Sequence, residues 1–170
     1  MSRTKELAQG AILVALALAL SYIERFIPLQ LLIPLPGVKL GLANIVTLVA
    51  LYALGTRRAV AIVILRCALG SLFGGGVTGL LFSLTGGLLS MGVMALCRRT
   101  AVFSVYGISI LGAAAHNIGQ VAVAMLLMRS VHIGVYLAYL LGVALFTGCA
   151  TGAASAGVLR RVRSVTISVK

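Results

Sequence analysis

The chain contains no aspartate and only two glutamates, Glu6 and Glu24, and charged residues of all kinds make up 9% of its 170 residues. It therefore lacks the paired carboxylates that general acid–base catalysis and Mg²⁺ chemistry use. It also has no GxxxxGK[ST] phosphate loop, no GxSxG nucleophile motif and no acid spaced to orient a histidine in a triad. We expect a protein that is not an enzyme.

Cysteine is also scarce, because Cys67, Cys97 and Cys149 each stand alone within an apolar run. They form no CxxC pair and no Cys/His spacing typical of a metal site. We interpret all three as small apolar packing residues, and we expect neither a metal nor a cofactor.

Hydrophobic residues, in contrast, make up 61% of the chain, and its mean hydropathy is +1.17. A soluble domain is about half apolar and about a quarter charged, so this composition predicts a multi-span membrane protein. The formal net charge of +12 fits basic cytoplasmic loops better than a nucleic-acid-binding surface. We expect one domain, residues 1–170, that contacts membrane lipid and binds no nucleic acid.

Six apolar runs are long enough to cross a bilayer, which takes about 20 helical residues. They cover residues 7–26, 38–56, 58–75, 77–97, 103–128 and 132–158. Lipid tolerates no unpaired backbone, so these runs predict an all-α integral membrane bundle of six transmembrane helices. The first run lacks a clear signal-peptide cleavage site and is interpreted as a retained span.

The basic residues set the expected orientation of this bundle. With both termini in the cytoplasm, ten of the fourteen basic residues lie inside, and Arg25, Lys39 and Arg129 lie outside. The remaining one, Arg66, lies within a span. Lys and Arg collect in short cytoplasmic loops, so this count predicts cytoplasmic termini.

Residues 25–39 form an apolar outer loop that holds all three prolines of the chain. Proline removes amide donors and breaks helices, so the loop is expected to be stiff rather than helical. We predict that it folds over the mouth of the bundle as a lid. The alternative is an interfacial connector without a function.

Arg66 lies roughly 13 Å into the third span at about 1.5 Å per residue from the basic pair that precedes the span. An arginine at this depth indicates a functional site by default. Glu6 and Glu24 are both near the ends of the first span, so we expect no buried acid to pair with Arg66. An anionic ligand would satisfy it, or alternatively helix carbonyls and water.

Three polar residues of the fifth span, His116, Asn117 and Gln120, share one face at about 100° per residue. Asn44 in the second span and Ser83 in the fourth add an amide and a hydroxyl. We expect a polar pocket among spans two to five. The alternative is a set of interhelical hydrogen bonds, worth about 0.6 kcal/mol each, that only hold the bundle together.

Small residues recur at four-residue spacing, as Ala11, Ala15 and Ala19 do in the first helix. Gly148 and Gly152 repeat the pattern in the sixth. Such stripes let helices approach closely, and on a first helix they can also present a flat face to another membrane subunit.

Four segments, in order, resemble one known family over nearly the whole chain. They are PGVKLGLANIVTLVALYALG (36–55), LRCALGSLFGGG (65–76), FSLTGGLLSMGVM (82–94) and GISILGAAAHNIGQ (107–120). They resemble the Gx transporter family, whose members are also labelled heptaprenyl diphosphate synthase component I. That family is similar to the substrate-binding S components of energy-coupling factor (ECF) transporters, which are six-helix membrane proteins that capture vitamins or related small molecules on the outer side.

The resemblance implies a small-molecule substrate, a transmembrane coupling subunit that docks on Ala11, Ala15 and Ala19, and cytoplasmic ATPases that supply the energy. It also implies that residues 27–37 gate the site, and that the protein lies in a prokaryotic cell membrane. Seven polar residues fall in the matching segments, and we infer from their polarity and depth that they bind the substrate. They are Lys39, Asn44, Arg66, Ser83, His116, Asn117 and Gln120.

Two other functions stay open at this point. The family label suggests a membrane accessory in isoprenoid or quinone synthesis. Prenyl diphosphate synthases hold Mg²⁺–diphosphate with aspartate-rich motifs, and this chain has no aspartate, so another chain would carry the catalysis. The third function is a purely structural membrane scaffold.

Overall fold

A computed structural model of the protein describes residues 3–27 and 39–168. Within these ranges the chain forms six α-helices, joined by turns and short helical segments, and no strand. The helices are α1 Arg3–Ile23, α2 Asn44–Leu54, α3 Thr56–Gly70, α4 Gly76–Thr100, α5 Val105–Met128 and α6 Val135–Ser168. The predicted all-α class is confirmed for this part of the chain.

Four helical stretches of the described ranges are long and apolar enough to cross a membrane, as expected of a helical membrane protein. They are Thr4–Ile23, Thr56–Thr100, Val105–Met128 and Val131–Val162. The 45-residue stretch is not one straight helix, because Phe73 (φ −84°, ψ 36°) and Gly74 (φ 98°, ψ 11°) leave the helical region. The turn Ser71–Gly75 separates α3 from α4, which then pack against each other.

Helix α2 is shorter than the apolar run 38–56 that predicts it. Its 11 residues span about 16 Å at about 1.5 Å each, short of the ~30 Å hydrocarbon core. The glycines at its two ends explain the difference. Gly41 (φ 83°) and Gly55 (φ 86°) both adopt positive φ, which an L-residue rarely adopts and which a helix does not continue through.

Helix α5 lies between α4 and α6, and glycines allow both contacts to be close. A Cβ atom on Gly119 would lie 2.9 Å from the Cα of Gly86, so the backbones of α4 and α5 almost touch. A Cβ on Gly148 would lie 2.5 Å from the Cα of Ile110, which brings α6 equally close to α5. The packing role predicted for Gly148 is confirmed.

The two larger of three buried apolar clusters in the described ranges surround these contacts. The first joins α2, α3 and α4 through residues such as Leu48, Val63 and Met91. The second joins α4, α5 and α6 through Phe82 and Val121, among others. The same helices also bury the polar side chains that form the candidate site.

Candidate functional site

A cavity of about 380 Å³ lies between α1, α3, the turn that follows α3, and the start of α4. Its polar lining includes Lys39, Arg66 and Ser83, and its apolar lining includes Leu18 and Phe73. Three of the seven predicted binding residues therefore meet at one cavity, although they come from three different parts of the chain.

Lys39 is held at this cavity by two contacts with different helices. Its Nζ donates a hydrogen bond of 2.9 Å to the Oγ of Ser83 on α4. Its backbone N–H donates to the Oε1 of Gln120 on α5, at 3.3 Å. The second bond connects the cavity to the buried polar residues of α5.

Arg66 borders the cavity while being only 6% exposed. Within the described residues, its buried Nε and Nη2 atoms make no hydrogen bond. These two atoms form one edge of the guanidinium, the kind of edge that binds a carboxylate or phosphate through two parallel bonds. A Cβ on Gly87 would lie 3.0 Å from Nη2, so the missing side chain of this glycine leaves room for the arginine against α4.

Glu24 is a site residue that the sequence reasoning missed. It lies in the short helical turn directly after α1, is 4% exposed, and accepts a hydrogen bond of 2.5 Å from the backbone N–H of Gly41. It also interacts electrostatically with Lys39 and Arg66. The expectation that no buried acid lies near Arg66 is therefore wrong.

The protonation of Glu24 reflects opposing influences. Burial raises the pKa of the Glu24 carboxyl, while the Gly41 N–H, the charges of Lys39 and Arg66, and the Leu42 backbone act to lower it. Burial has the larger effect, so the pKa is raised overall. The local sequence indicates this burial only weakly, because its one sign is that Glu24 is a lone acid at the end of an apolar run.

Within the bundle, polar side chains of α2, α3, α4 and α5 are buried with little hydrogen bonding. In the described ranges, nine buried side-chain nitrogen and oxygen atoms have no hydrogen-bond partner. They are Asn44 Nδ2 and Oδ1, Arg66 Nε and Nη2, Ser90 Oγ, His116 Nδ1 and Nε2, Asn117 Oδ1 and Gln120 Nε2. Native proteins leave few such atoms, so this concentration indicates a region that water or a ligand completes.

His116 lies at the centre of this region, between two glycines. A Cβ on Gly41 would lie 3.3 Å from the His116 Cδ2 and 2.8 Å from the Asn44 Nδ2. A Cβ on Gly86 would lie 3.0 Å from the imidazole Nδ1. The two glycines thus let the turn before α2 and the middle of α4 approach the ring closely.

Asn117 faces a different neighbour from the other α5 residues. Its Nδ2 donates a hydrogen bond of 2.8 Å to the backbone oxygen of Leu140 on α6. This contact is of the interhelical kind that was the alternative to ligand binding.

The structure thus divides the seven predicted residues into two groups. Lys39, Arg66 and Ser83 line the cavity, whereas Asn44, His116, Asn117 and Gln120 lie behind it, within the bundle. Ligand contact by either group stays a prediction. Most of the predicted lid, residues 28–38, lies outside the described residues.

The alanines predicted to dock a partner, Ala11, Ala15 and Ala19, are all exposed on α1. Ala11 and Ala15 line a second, mainly apolar groove of about 670 Å³ between α1 and α3. Ala19 lines the polar cavity instead. In the part of the chain that the structure describes, no group of three His, Cys, Asp or Glu side chains could hold a metal ion.

A family model described as heptaprenyl diphosphate synthase component I matches residues 13–158. The chain therefore belongs to this family, which confirms the family predicted from its sequence segments. The family description names a component of a synthase. No curated protein and no solved structure matches the chain.

Proposed function

We propose that this member of the heptaprenyl diphosphate synthase component I family is the membrane-embedded substrate-binding component of an ECF-type importer. The observation that carries the proposal is the cavity at Lys39, Arg66 and Ser83, in a chain of which 61% of the residues are hydrophobic. Arg66 is buried and two of its nitrogen atoms have no hydrogen-bond partner among the described residues, and an arginine inside a membrane bundle favours a functional role. Binding a small molecule is such a role.

The arrangement of the helix ends supports an orientation with cytoplasmic termini. Arg58 Nη2 lies 2.7 Å from Glu6 Oε2, which brings the starts of α1 and α3 together. Arg98, near the end of α4, donates to the backbone oxygen of Leu51, near the end of α2. Four helix ends therefore meet at one end of the bundle, and the basic residues of α1, α3 and α4 there favour a cytoplasmic location for this end.

The cavity lies at the other end of the same helices. It is lined by Tyr22 in the last turn of α1, by Phe73 in the turn after α3, and by Gly79 in the first turn of α4. In the proposed orientation, with six crossings in a prokaryotic cell membrane, this end faces outward. A cavity on the outer side suits a protein that captures a substrate for import.

A capture subunit that is not an enzyme needs a partner to move its substrate. The exposed face of α1, with Ala11 and Ala15 in the apolar groove, suits a transmembrane coupling subunit, because small residues let helices approach closely. Cytoplasmic ATPases bound to that subunit would supply the energy. The chain itself contains no phosphate loop for this purpose.

The test is co-purification of the full chain with a coupling subunit and its ATPases after expression in one membrane. We expect Ala15→Leu to prevent the association, because the larger side chain obstructs the groove. The matched control is Ala138→Leu, since Ala138 is an exposed alanine of α6 outside the groove. Failure of the wild-type chain to associate with any coupling subunit would contradict the proposal.

The second candidate function is a membrane accessory of a prenyl diphosphate synthase, which the family description favours. This alternative predicts a stable complex with a soluble prenyl synthase carried on another chain. The co-purification experiment distinguishes the two candidates, because Ala15→Leu should not affect a complex that does not use the groove.

A further inference from the structure

We infer that the cavity at Arg66 takes a small organic acid with one carboxylate and an apolar body, rather than a prenyl diphosphate. This inference rests on the proposed function and names the substrate class for the same site. Three observations carry it: the free edge of Arg66, the charges around the cavity, and the volume of the cavity.

Two hydrogen-bond donors of the Arg66 guanidinium lack acceptors among the described residues. Nε and Nη2 of Arg66 are buried without a partner among the described residues, and the side chain itself borders the cavity. A carboxylate has two oxygens at the spacing that this guanidinium edge matches, so turning the edge from Gly87 of α4 into the cavity would allow two parallel bonds. The Lys39 ammonium, fixed at the Ser83 Oγ, adds a second positive charge at the cavity.

The charge of the surrounding groups limits the charge of the ligand. Lys39 and Arg66 supply two positive charges, and both interact with Glu24. With Glu24 ionised, one carboxylate of the ligand brings the total charge of Lys39, Arg66, Glu24 and ligand to zero. With Glu24 protonated, the same ligand leaves a total charge of +1. A phosphate monoester already carries about −1.5 to −2 charges at pH 7, and a diphosphate ester carries more. With Glu24 ionised, the net charge of the three groups is +1, which one carboxylate balances and a diphosphate does not, and an unbalanced buried charge is costly.

The size of the cavity and its lining limit the body of the ligand. Its volume of about 380 Å³ is near the lower end of small-molecule pockets, which range over roughly 300–1,000 Å³. Leu18 and Phe73 provide apolar walls beside the two cations. Such a pocket suits a ring or a short chain, and it is too small to enclose a heptaprenyl tail.

The test measures the affinity of the purified full-length chain for three probes at a fixed ionic strength. The probes are 3-phenylpropionate, its neutral amide 3-phenylpropionamide, and geranyl diphosphate. We expect the acid to bind at least about tenfold more tightly than the amide, because a hydrogen bond to a charged group contributes about 1.5–3 kcal/mol. We also expect the acid to bind more tightly than geranyl diphosphate, and to raise the melting temperature as its concentration rises.

Three variants test whether the preference for the acid over the amide arises at the cavity. Arg66→Gln should abolish the preference for the acid over the amide, and Lys39→Gln should reduce it. The matched control is Arg129→Gln, which removes an exposed arginine that does not line the cavity and should keep the full preference. Comparing the melting temperatures of the variants without a probe shows whether each one folds.

Three outcomes would overturn the inference: tighter binding of geranyl diphosphate than of the acid, an undiminished preference in Arg66→Gln, or no binding of any probe. If the chain still associates with a coupling subunit in these cases, the inference fails and the proposed function stands. If it binds no probe and no coupling subunit, both fail.

Discussion

The contact between α4 and α5 allows a sharp prediction, because it has almost no free space. A Cβ on Gly119 would lie 2.9 Å from Gly86 Cα, 3.1 Å from Gly86 N and 3.1 Å from Thr85 O. All three atoms belong to the backbone, so no side chain can rotate away. Gly119→Ala therefore forces the two helices apart.

The expected loss of stability is that of overpacking, about 1–3 kcal/mol. Alanine also favours a helix over glycine by about 0.8–1.0 kcal/mol, which partly hides the loss. Gly92→Ala is the matched control, because Gly92 lies within α4 and a Cβ there would meet no atom within 4 Å. The difference between the two variants isolates the contact. At about 2–4 °C per kcal/mol, it should lower the melting temperature of Gly119→Ala by several degrees relative to the control.

Thermal unfolding can be followed by labelling the buried thiol of Cys67. The background needs alanine in place of the exposed Cys149 and the partly exposed Cys97, which would react in the folded protein. Equal melting temperatures for Gly119→Ala and Gly92→Ala would refute the close approach of α4 and α5.

Two further predictions concern the polar residues. Because the pKa of Glu24 is raised from 4.5, the folded protein binds this proton more tightly than the unfolded one. The free energy of unfolding should therefore fall as the pH rises from about 4.5 through the folded-state pKa. In Glu24→Gln, a pH series of melting temperatures should lack this fall. If the melting temperature of Glu24→Gln depends on pH as that of the wild type does, the result would count against the buried carboxyl. Asn117→Ala removes the bond to the Leu140 oxygen and should reduce stability by about 0.6 kcal/mol, measured by the same labelling assay, whereas a stabilised variant would argue against that bond.

The sequence predicted those features that depend on local pattern. The all-α class followed from long apolar runs, and the family followed from four ordered segments. The shared face of His116 and Gln120 follows from the helical period alone, and both residues are indeed buried at 2% exposure or less. These properties need no knowledge of how the helices are arranged.

The features that the sequence did not predict depend on contacts between distant segments. Glu24 is buried because the chain turns directly after Ile23 and the carboxyl reaches Gly41, 17 residues away. The division between cavity and interior likewise depends on which neighbour each helix faces. Depth along a span places Arg66 and Asn117 near the middle of the bundle, but it does not show that one borders a cavity and the other faces α6.

Native mass spectrometry of the chain extracted from its membrane tests the central claim most directly. A substrate-capture subunit should retain a small molecule at one copy per chain, and Arg66→Gln should lose it while Arg129→Gln keeps it. Wild-type chain that carries no small molecule, even after exposure to extracts of its own cells, would contradict a role in substrate capture.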